Sequence, residues 1–277
     1  TPLYSSAASD VYKRQETFRI LLERKDMLLS RSGKKIEVVA VSSQNRDVDR
    51  GIDLSGVEWV DDARNLCLKS NVDVVVELIG GSEGIAKDIA EAAVNNNKFF
   101  VTANKALIAH HGDEIGKNAE ENGVSIGFEA AVAGGIPIIK TLREGLGGNQ
   151  FTRVYGILNG TCNYIVSEMR ETGRDFNDVL TDAQALGYAE ADPSFDIDGI
   201  DAAHKLSILA SIVFQTKINF EAIHTEGIRF ISPIDLEFAT ELGFRIKLLG
   251  IAEIKDEEIQ QRVRPCLVSI NLSLIHI

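Results

Sequence analysis

Residues 72–103 read VDVVVELIGGSEGIAKDIAEAAVNNNKFFVTA and contain two apolar runs separated by a helical pattern. The runs at 72–79 and 99–103 are short and rich in valine and phenylalanine, as buried strands are. Between them, apolar residues recur at the three- and four-residue spacing of a helix face: Ile85, Ile89, Ala92 and Ala93. Strand, helix and strand in this order predict a βαβ unit whose strands lie parallel in one sheet.

The alternation continues on both sides of this unit. On the N-terminal side, a helical stripe ends near Gly33, a strand is predicted at 36–41 and a helix at 62–69. On the C-terminal side, a helix ends at Gly123 and a strand follows at 124–128. This series predicts an α/β fold of the Rossmann type, a doubly wound parallel sheet with helices covering both faces.

The two ends of the chain do not fit this series. A doubly wound nucleotide-binding domain begins with a strand and a glycine-rich turn, whereas the series begins with a helix near Glu16. Residues 1–15, TPLYSSAASDVYKRQ, have neither helical nor strand periodicity. We therefore expect 1–15 to be a foreign or disordered segment, 273–277 to be a foreign tail, and the first strand with its glycine-rich loop to be missing.

From about residue 134 the pattern changes to helices with late β-rich segments. Helices are predicted at 137–146, 162–171, 177–186 and 199–214, and strands at 151–158, 247–254 and 262–270. This mixture predicts a second domain of the α+β class that carries the substrate chemistry. The expected boundaries are 16–133 for an incomplete nucleotide-binding domain and 134–272 for the second, catalytic domain.

The composition argues against several classes of protein. The chain has 277 residues, of which 44% are apolar and 25% charged, as in ordinary globular proteins. Its net charge of −12 repels phosphate backbones, so we expect no nucleic-acid partner. The three cysteines have no metal-ligand or disulfide spacing, which fits a reducing cytoplasm. No apolar run approaches the roughly 18 residues of a membrane helix, so we expect a cytoplasmic protein without a membrane partner.

The segment 187–205, GYAEADPSFDIDGIDAAHK, carries five carboxylates before and within a long apolar helix. They are Glu190, Asp192, Asp196, Asp198 and Asp201. One interpretation is an acidic loop in which Asp198 caps the helix and Asp201 forms a surface ion pair with Lys205. The other is a site in which Lys205 exchanges protons among carboxylates. We favour the second, because the pair interrupts a helix that is apolar almost all round.

Two candidate segments lie in the predicted nucleotide-binding domain. The motif at 102–105 (TANK) directly follows a strand, so Lys105 is expected at the crevice where open α/β sheets bind ligands. A solvated loop lysine explains the same residue equally well. Residues 80–84 (GGSEG) faintly resemble a dinucleotide-binding loop, and we interpret them as a contact with the flank of a cofactor rather than the main pyrophosphate turn.

Two further segments lie at and beyond the predicted domain boundary. At 129–137 (EAAVAGGIP) one carboxylate precedes a glycine turn, which suits either a hard cation or a tight interdomain turn. At 159–164 (NGTCNY) we expect Thr161 to cap a helix. Cys162 at a helix N-terminus has the position of a nucleophile, but no histidine lies nearby in sequence to act as its base, so we assign it to packing.

Five segments together resemble the homoserine dehydrogenase family over nearly the whole span from Glu16 to Ser269. They are, in chain order, TANKALIA, EAAVAGGIPII, LNGTCNYI, ALGYAEADPSFDIDGIDAAHKL and ELGFRIKLLGIAEI. The resemblance implies an oxidoreductase that uses NAD(P)H to reduce L-aspartate 4-semialdehyde to L-homoserine, on the route to threonine, isoleucine and methionine. It also implies a homodimer joined through the second domain.

The resemblance implies a role for individual residues. Lys205 would donate the proton to the aldehyde oxygen, assisted by Lys105. The substrate would be bound by Glu190, Asp196 and Asp201. The cofactor would contact Gly80, Thr102, Lys105 and Gly187. A sodium ion would be bound by Glu129 and the carbonyls of Val132, Gly134 and Ile136.

The cofactor is expected to be NADP, with NAD as the second choice. The acid that binds the ribose diol of NAD is absent from SSQNR at 42–46, and Ser43 and Arg46 suit a 2′-phosphate. Two other functions fit the sequence less well: an enzyme like aspartate-semialdehyde dehydrogenase with Cys162 as nucleophile, and a non-catalytic Rossmann-like binding protein. Because the glycine-rich loop and a C-terminal return to the nucleotide domain are expected to be missing, this chain alone is predicted to be poorly active.

Overall fold

The computed structural model describes residues 6–48 and 50–276 and divides the chain into two compact units. The N-terminal unit ends at Ala130, and the C-terminal unit begins at Ala131. None of the helices in the described part of the chain is both long enough and apolar enough to cross a membrane.

The N-terminal unit alternates helices and short strands, as predicted. Its helices are α1 (Ser6–Glu23), α2 (Lys25–Ser32), α3 (Ile85–Asn95) and α4 (Lys105–Glu121), with a 3₁₀ helix at Ala63–Leu68. Its strands are β1 (Ala40–Val41), β2 (Glu58–Trp59), β3 (Val74–Glu77), β4 (Phe99–Thr102) and β5 (Ile126–Gly127). The βαβ unit predicted from residues 72–103 is confirmed as β3, α3 and β4, whose strands pair in parallel.

The strands of this unit form two separate parallel sheets. β1 pairs with β2, while β3, β4 and β5 form a three-stranded sheet in that order. Among the described residues no backbone pairing joins the two sheets. The predicted strand at 36–41 is correspondingly reduced to two residues, because only β2 supplies partners for its backbone.

The prediction that helices cover both faces of the sheet is wrong for the three-stranded part. Side chains alternate along its strands: Val75 and Phe100 are buried with α3 and α4, whereas the intervening residues point to the opposite face. Four large apolar side chains are between 39% and 48% exposed there: Val74, Val76, Phe99 and Val101. In the described chain this face therefore has no covering layer.

The N-terminal end also differs from expectation. Residues 6–15, predicted to lack regular structure, are helical and continue into the predicted stripe as α1. The stretch holds good helix formers and no proline or glycine, so it can extend an adjoining helix without an apolar stripe of its own. Residues 1–5 and 277 lie outside the described residues, so the expectation of a foreign segment is not tested there.

The C-terminal unit is of the predicted α+β class. Helix α5 (Ala130–Ala133) begins at the last residue of the N-terminal unit and lies otherwise in this one. The further helices are α6 (Ile138–Lys140), α7 (Gly160–Thr172), α8 (Phe176–Ala185), α9 (Ser194–Ile197), α10 (Ile200–Phe214) and α11 (Pro233–Glu241). A π-helical turn at Thr141–Gly145 extends α6, and a 3₁₀ turn spans Ser273–His276. Its strands are β6 (Arg153–Gly156), β7 (His224–Thr225), β8 (Phe244–Lys255) and β9 (Glu258–Ser269).

Four strands form one sheet in the order β6-β8-β9-β7. β8 and β9 are a long antiparallel hairpin, β6 adds antiparallel to β8, and β7 pairs in parallel with β9. Helix α10 is apolar almost all round and packs with α7 on this sheet, so the core contains Leu206 of α10, Ile165 of α7 and Ala252 of β8. This packing fixes the position of every side chain that α10 directs toward the end of β6.

Helix α11 was not predicted. Its start carries a recognisable signal, because Ser232 caps the helix, Pro233 follows, and Asp235 completes a capping box. Its apolar pattern is less informative, since Leu236 is buried whereas Phe238 is exposed.

Candidate active site

Lys205 lies on α10 with most of its side chain buried. Its Nζ donates a hydrogen bond to Asp201 Oδ2 at 2.6 Å and another to the carbonyl oxygen of Leu158 at 2.8 Å. The Lys205 side chain is 18% exposed and that of Asp201 is 6% exposed. The interpretation of this pair as a surface ion pair is therefore wrong, and two oxygens hold the ammonium group in a mostly buried position.

Asn159 connects this pair to a second carboxylate. Its Nδ2 donates to Asp201 Oδ2 at 2.9 Å and to Asp196 Oδ1 at 2.8 Å, while its Oδ1 accepts the N–H of Cys162 at 2.8 Å. Asn159 is thus the N-cap of α7, and the prediction that Thr161 caps this helix is wrong. The Thr161 hydroxyl instead donates to the carbonyl of Tyr188. Sequence analysis did not single out Asn159, although asparagine before a helix is a recognised cap signal.

The N-terminus of α10 also differs from the prediction. Its N-cap is Gly199 in a left-handed conformation (φ 85°), so Asp198 does not cap the helix. The Asp198 carboxylate pairs instead with the guanidinium of Arg229. A side chain at Gly199 would lie 3.0 Å from Thr225 and 3.1 Å from Val263, which together with the positive φ explains the glycine.

Glu190 and Gly187 lie on the segment between α8 and α9. The Glu190 side chain is exposed, and its carbonyl oxygen accepts a hydrogen bond from Gln184 Nε2 at 2.8 Å. Gly187 has a φ of 78° and open space where a side chain would be. Hydrogen bonds through Asn159 join Lys205, Asp201 and Asp196 into one network. Among the described residues, the Glu190 carboxylate makes no hydrogen bond to this network.

Cys162 is not placed as a nucleophile. It is fully buried, and its Sγ donates to the carbonyl oxygen of Asp196 at 3.1 Å. Burial, with the negative charges of Asp196 and Asp201 beside it, raises the pKa of the Cys162 thiol far above its ordinary range. The thiol therefore stays protonated at neutral pH, which supports the assignment to packing.

A second polar network is buried at the carboxyl ends of β3 and β4. Glu77, the last residue of β3, accepts the N–H groups of Ile79 and Gly80 on one carboxylate oxygen and the Thr102 hydroxyl at 2.6 Å on the other. Glu77 and Thr102 are each 1% exposed. Sequence analysis missed Glu77, although a charged residue ending an apolar strand is itself a signal of a paired site.

Asn104 extends this network to the start of α4. Its Nδ2 donates to the Gly81 carbonyl at 2.6 Å, and its Oδ1 caps the helix by accepting the Leu107 N–H at 3.1 Å. Lys105 is consequently the first residue of α4, partly buried and directly after the carboxyl end of β4. Gly80 and Gly81 both have positive φ angles, so the 80–84 loop turns at this edge.

Arg50 holds the segment after β1 in place through its hydrogen bonds. Arg50 donates to Ser43 Oγ at 3.3 Å and to the Val48 carbonyl at 2.8 Å. The guanidinium groups of Arg46 and Arg50 lie over the Trp59 ring at 6.0 and 5.1 Å from its centroid. Arg50 beside the Ser43 hydroxyl, with Arg46 on the same tryptophan ring, is a pair of cations of the kind that binds phosphate.

The four residues expected to bind sodium fall in both units. Glu129 belongs to the N-terminal unit, whereas Val132, Gly134 and Ile136 belong to the C-terminal unit. One carboxylate with main-chain carbonyls is a set of hard oxygen donors, which fits sodium chemically. In the described residues no three His, Cys, Asp or Glu side chains are grouped as a metal site.

Two family models match the chain. The model described as homoserine dehydrogenase matches residues 137–277, and the model described as homoserine dehydrogenase, NAD binding domain, matches residues 15–129. The chain is 48% identical to the homoserine dehydrogenase of Pseudomonas aeruginosa over 252 residues, which are 91% of this chain and 57% of that protein. It is 38% identical to the Bacillus subtilis enzyme over 93% of this chain and 60% of that protein.

Solved structures agree with these matches. The homoserine dehydrogenase of Thiobacillus denitrificans superposes with a TM-score of 0.91 at 46% identity, covering 95% of this chain and 61% of that chain. A hyperthermophilic archaeal homoserine dehydrogenase in complex with NADPH gives a TM-score of 0.68 at 28% identity, over 92% of this chain and 69% of that chain. The chain thus spans less than two thirds of the length of the curated relatives cited here.

Proposed function

We propose, since this chain belongs to the homoserine dehydrogenase family, that the whole protein reduces L-aspartate 4-semialdehyde to L-homoserine with a nicotinamide cofactor. The observation that carries the proposal is the Lys205–Asp201 pair, 2.6 Å apart and largely buried on an apolar helix. The reaction would serve the synthesis of threonine, isoleucine and methionine. The alternative of an aspartate-semialdehyde dehydrogenase-like enzyme is contradicted by the family match and by the protonated, buried Cys162.

Lys205 is the proposed proton donor. When bound, the nicotinamide supplies the hydride that adds to the aldehyde carbon. As negative charge develops on the aldehyde oxygen, the Lys205 ammonium stabilises it and transfers a proton to it. Asp201 and the Leu158 carbonyl hold Nζ in place from one side, so the remaining N–H can point to the substrate.

The substrate is proposed to lie beside this network. Asp196 and Asp201 would hold its polar atoms, and the exposed carboxylate of Glu190 would bind its ammonium group by a charge-assisted hydrogen bond. Support for these roles comes from the family resemblance and from the network that joins Asp196 and Asp201 to Lys205.

The cofactor is proposed to be NADP, with NAD as the second choice. Gly80, Thr102 and Lys105 would contact it at the edge of the three-stranded sheet, with Lys105 also assisting catalysis, and the family resemblance assigns Gly187 to the cofactor as well. The open space and positive φ at Gly81 and Gly187 support a close approach of a ligand to the backbone. The arginines over Trp59 support a 2′-phosphate.

We also propose a bound sodium ion, a homodimer and a cytoplasmic location. The sodium ion would be held by Glu129 and the carbonyls of Val132, Gly134 and Ile136, which supply oxygen donors only. The homodimer, joined through the C-terminal unit, rests on the family resemblance. The cytoplasmic location is supported by the three cysteines, all of which are free.

The test is the Lys205→Ala substitution in the full-length parent protein. We expect kcat for homoserine oxidation to fall about 10³-fold, within the usual range for loss of a general acid or base, with NADP binding retained in a calorimetric titration. Lys255→Ala removes an exposed lysine of the same unit and should leave kcat unchanged. Wild-type turnover by Lys205→Ala would refute the assigned role, and a parent that binds NADP without turnover would instead be a binding protein.

A further inference from the structure

We propose that Asn159 is a positioning residue that clamps Asp196 and Asp201 together and thereby holds Lys205 in its reactive place. The inference rests on the proposed function of Lys205 and adds to it a residue outside the ion pair. Asn159 is 5% exposed and lies between the end of β6 and the start of α7.

The geometry assigns each polar atom of the Asn159 amide to a different partner. The two N–H bonds of Nδ2 are directed to Asp196 on α9 and Asp201 on α10, which are 37 and 42 residues away in sequence. The remaining Oδ1 accepts the N–H of Cys162 at the first turn of α7. A single side chain therefore joins three helices at the point where Lys205 meets Asp201.

The charge balance explains why an amide is required. The carboxylates of Asp196 and Asp201 both accept from the Asn159 amide, and Asp201 Oδ2 also accepts a hydrogen bond from Lys205. The negative charges of Asp196 and Asp201 repel each other, and hydrogen-bond donors placed between the two carboxylates offset this repulsion. The Asn159 amide supplies two donors without adding a third charge. Serine or aspartate would also cap α7, but neither supplies two donors.

The experiment compares Asn159→Ser and Asn159→Asp with the wild-type full-length parent. Both substitutions keep a cap acceptor for α7, so both variants should fold, which circular dichroism and the thermal midpoint will check. We expect Asn159→Ser to lower kcat about 10- to 100-fold through misplacement of Lys205, with KM for the cofactor within about twofold of wild type. Asn159→Asp should be slower still near pH 8, where three carboxylates meet.

A pH series distinguishes a role of Asn159 in positioning Lys205 from a role only as the cap of α7. A protonated acid at position 159 regains one donor, so the activity of Asn159→Asp relative to wild type should rise as pH is lowered from about 8.5 to 6. A cap alone would give no such trend, because a carboxylate caps as well as an amide. Ser232→Ala removes the cap of α11 in the same unit and should lower stability by about 1 kcal/mol with kcat unchanged.

The outcomes distinguish the two levels of the proposal. An active wild-type parent with an unimpaired Asn159→Ser variant and no pH trend would overturn the clamp alone. A wild-type parent that neither oxidises homoserine nor reduces the aldehyde would overturn the proposed function and the clamp with it. A reduced kcat with the acid-dependent recovery in Asn159→Asp would support the clamp.

Discussion

Both units bury a polar network, but they surround it differently. In the C-terminal unit, Lys205, Asp201 and Asn159 sit against a core in which α7 and α10 cover one face of the sheet. In the N-terminal unit, Glu77 and Thr102 are as deeply buried, yet they end strands whose other face is bare. Burial of a network therefore does not require that the sheet beneath it be covered on both sides.

The exposed face of the three-stranded sheet lowers the stability of the N-terminal unit. Covering a large apolar side chain contributes about 1.5–3 kcal/mol, so four half-exposed side chains forgo roughly 4 kcal/mol in the N-terminal unit. The proposed proton-transfer residues lie in the C-terminal unit, which also exposes large apolar side chains such as Phe238 and Leu267, but whose two longest strands pair over twelve residues. We infer that the N-terminal unit, whose strands pair over at most four residues, is the less stable of the two.

Hydrogen exchange on this 277-residue chain tests the contrast most directly and has the largest expected effect. If the bare face lowers the stability of the N-terminal unit by roughly 4 kcal/mol, amides of β3 and β4 should exchange about 10³-fold faster than those of β8 and α10. Amides within the C-terminal unit provide the internal reference. Equal protection in the two units would contradict the contrast.

Removing the carboxylate of Glu77 should have the next largest effect. Glu77→Ala leaves the N–H groups of Ile79 and Gly80 and the Thr102 hydroxyl without their buried acceptor, so we expect about 3 kcal/mol of destabilisation. Glu77→Gln keeps one acceptor oxygen and should lose about 1 kcal/mol.

Urea unfolding, followed by the Trp59 fluorescence of the N-terminal unit, measures both changes. The matched control is Glu91→Ala, which removes a more exposed glutamate of α3 paired with Lys87 at 3.8 Å and should change stability by less than about 0.5 kcal/mol. A Glu77→Ala variant as stable as this control would show that the network is not needed to hold the 79–81 loop.

Most elements could be predicted because their signals are local. The periodicity of residues 72–103 gives the βαβ unit, and the apolar pattern of α10 shows that this helix is buried before any contact is known. Lys205 and Asp201 could be paired for the same reason, since a four-residue spacing places two side chains on one face of a helix.

The rest depended on partners that are distant in sequence. Asp198 has the composition and position of a helix cap, but Arg229, 31 residues later, binds its carboxylate instead. Glu77 finds Thr102 25 residues later, and no spacing rule predicts such a pair. The exposed face of the three-stranded sheet could not be predicted for another reason. A valine-rich strand such as β3 has the same sequence pattern whether one of its faces is exposed or both are buried.

Lys247, a buried lysine of the C-terminal unit, gives the prediction with the smallest expected effect on stability. Lys247 is 3% exposed, and its Nζ donates to Asn163 Oδ1 at 2.6 Å and Ser167 Oγ at 2.9 Å, both neutral acceptors. Burial, followed by the nearby charge of Arg170, lowers the pKa of Lys247 below its usual value of 10.5. The C-terminal unit therefore buries a lysine whose described hydrogen bonds go to neutral oxygens, and this burial lowers the stability of the charged form.

The sign of the pH effect follows from proton binding. Between the lowered pKa and 10.5 the unfolded chain binds more protons at Lys247 than the folded chain does, so stability contributed by this group rises with pH in that window. Lys247→Met should remove this rise, whereas Lys255→Met, at an exposed position of the same strand, should keep it. Unfolding free energies in urea at a series of pH values from about 7 to 10 measure the slopes. Equal slopes in wild type and Lys247→Met would mean that the lysine is hydrated in solution, and that the C-terminal unit opens more readily than its packing indicates.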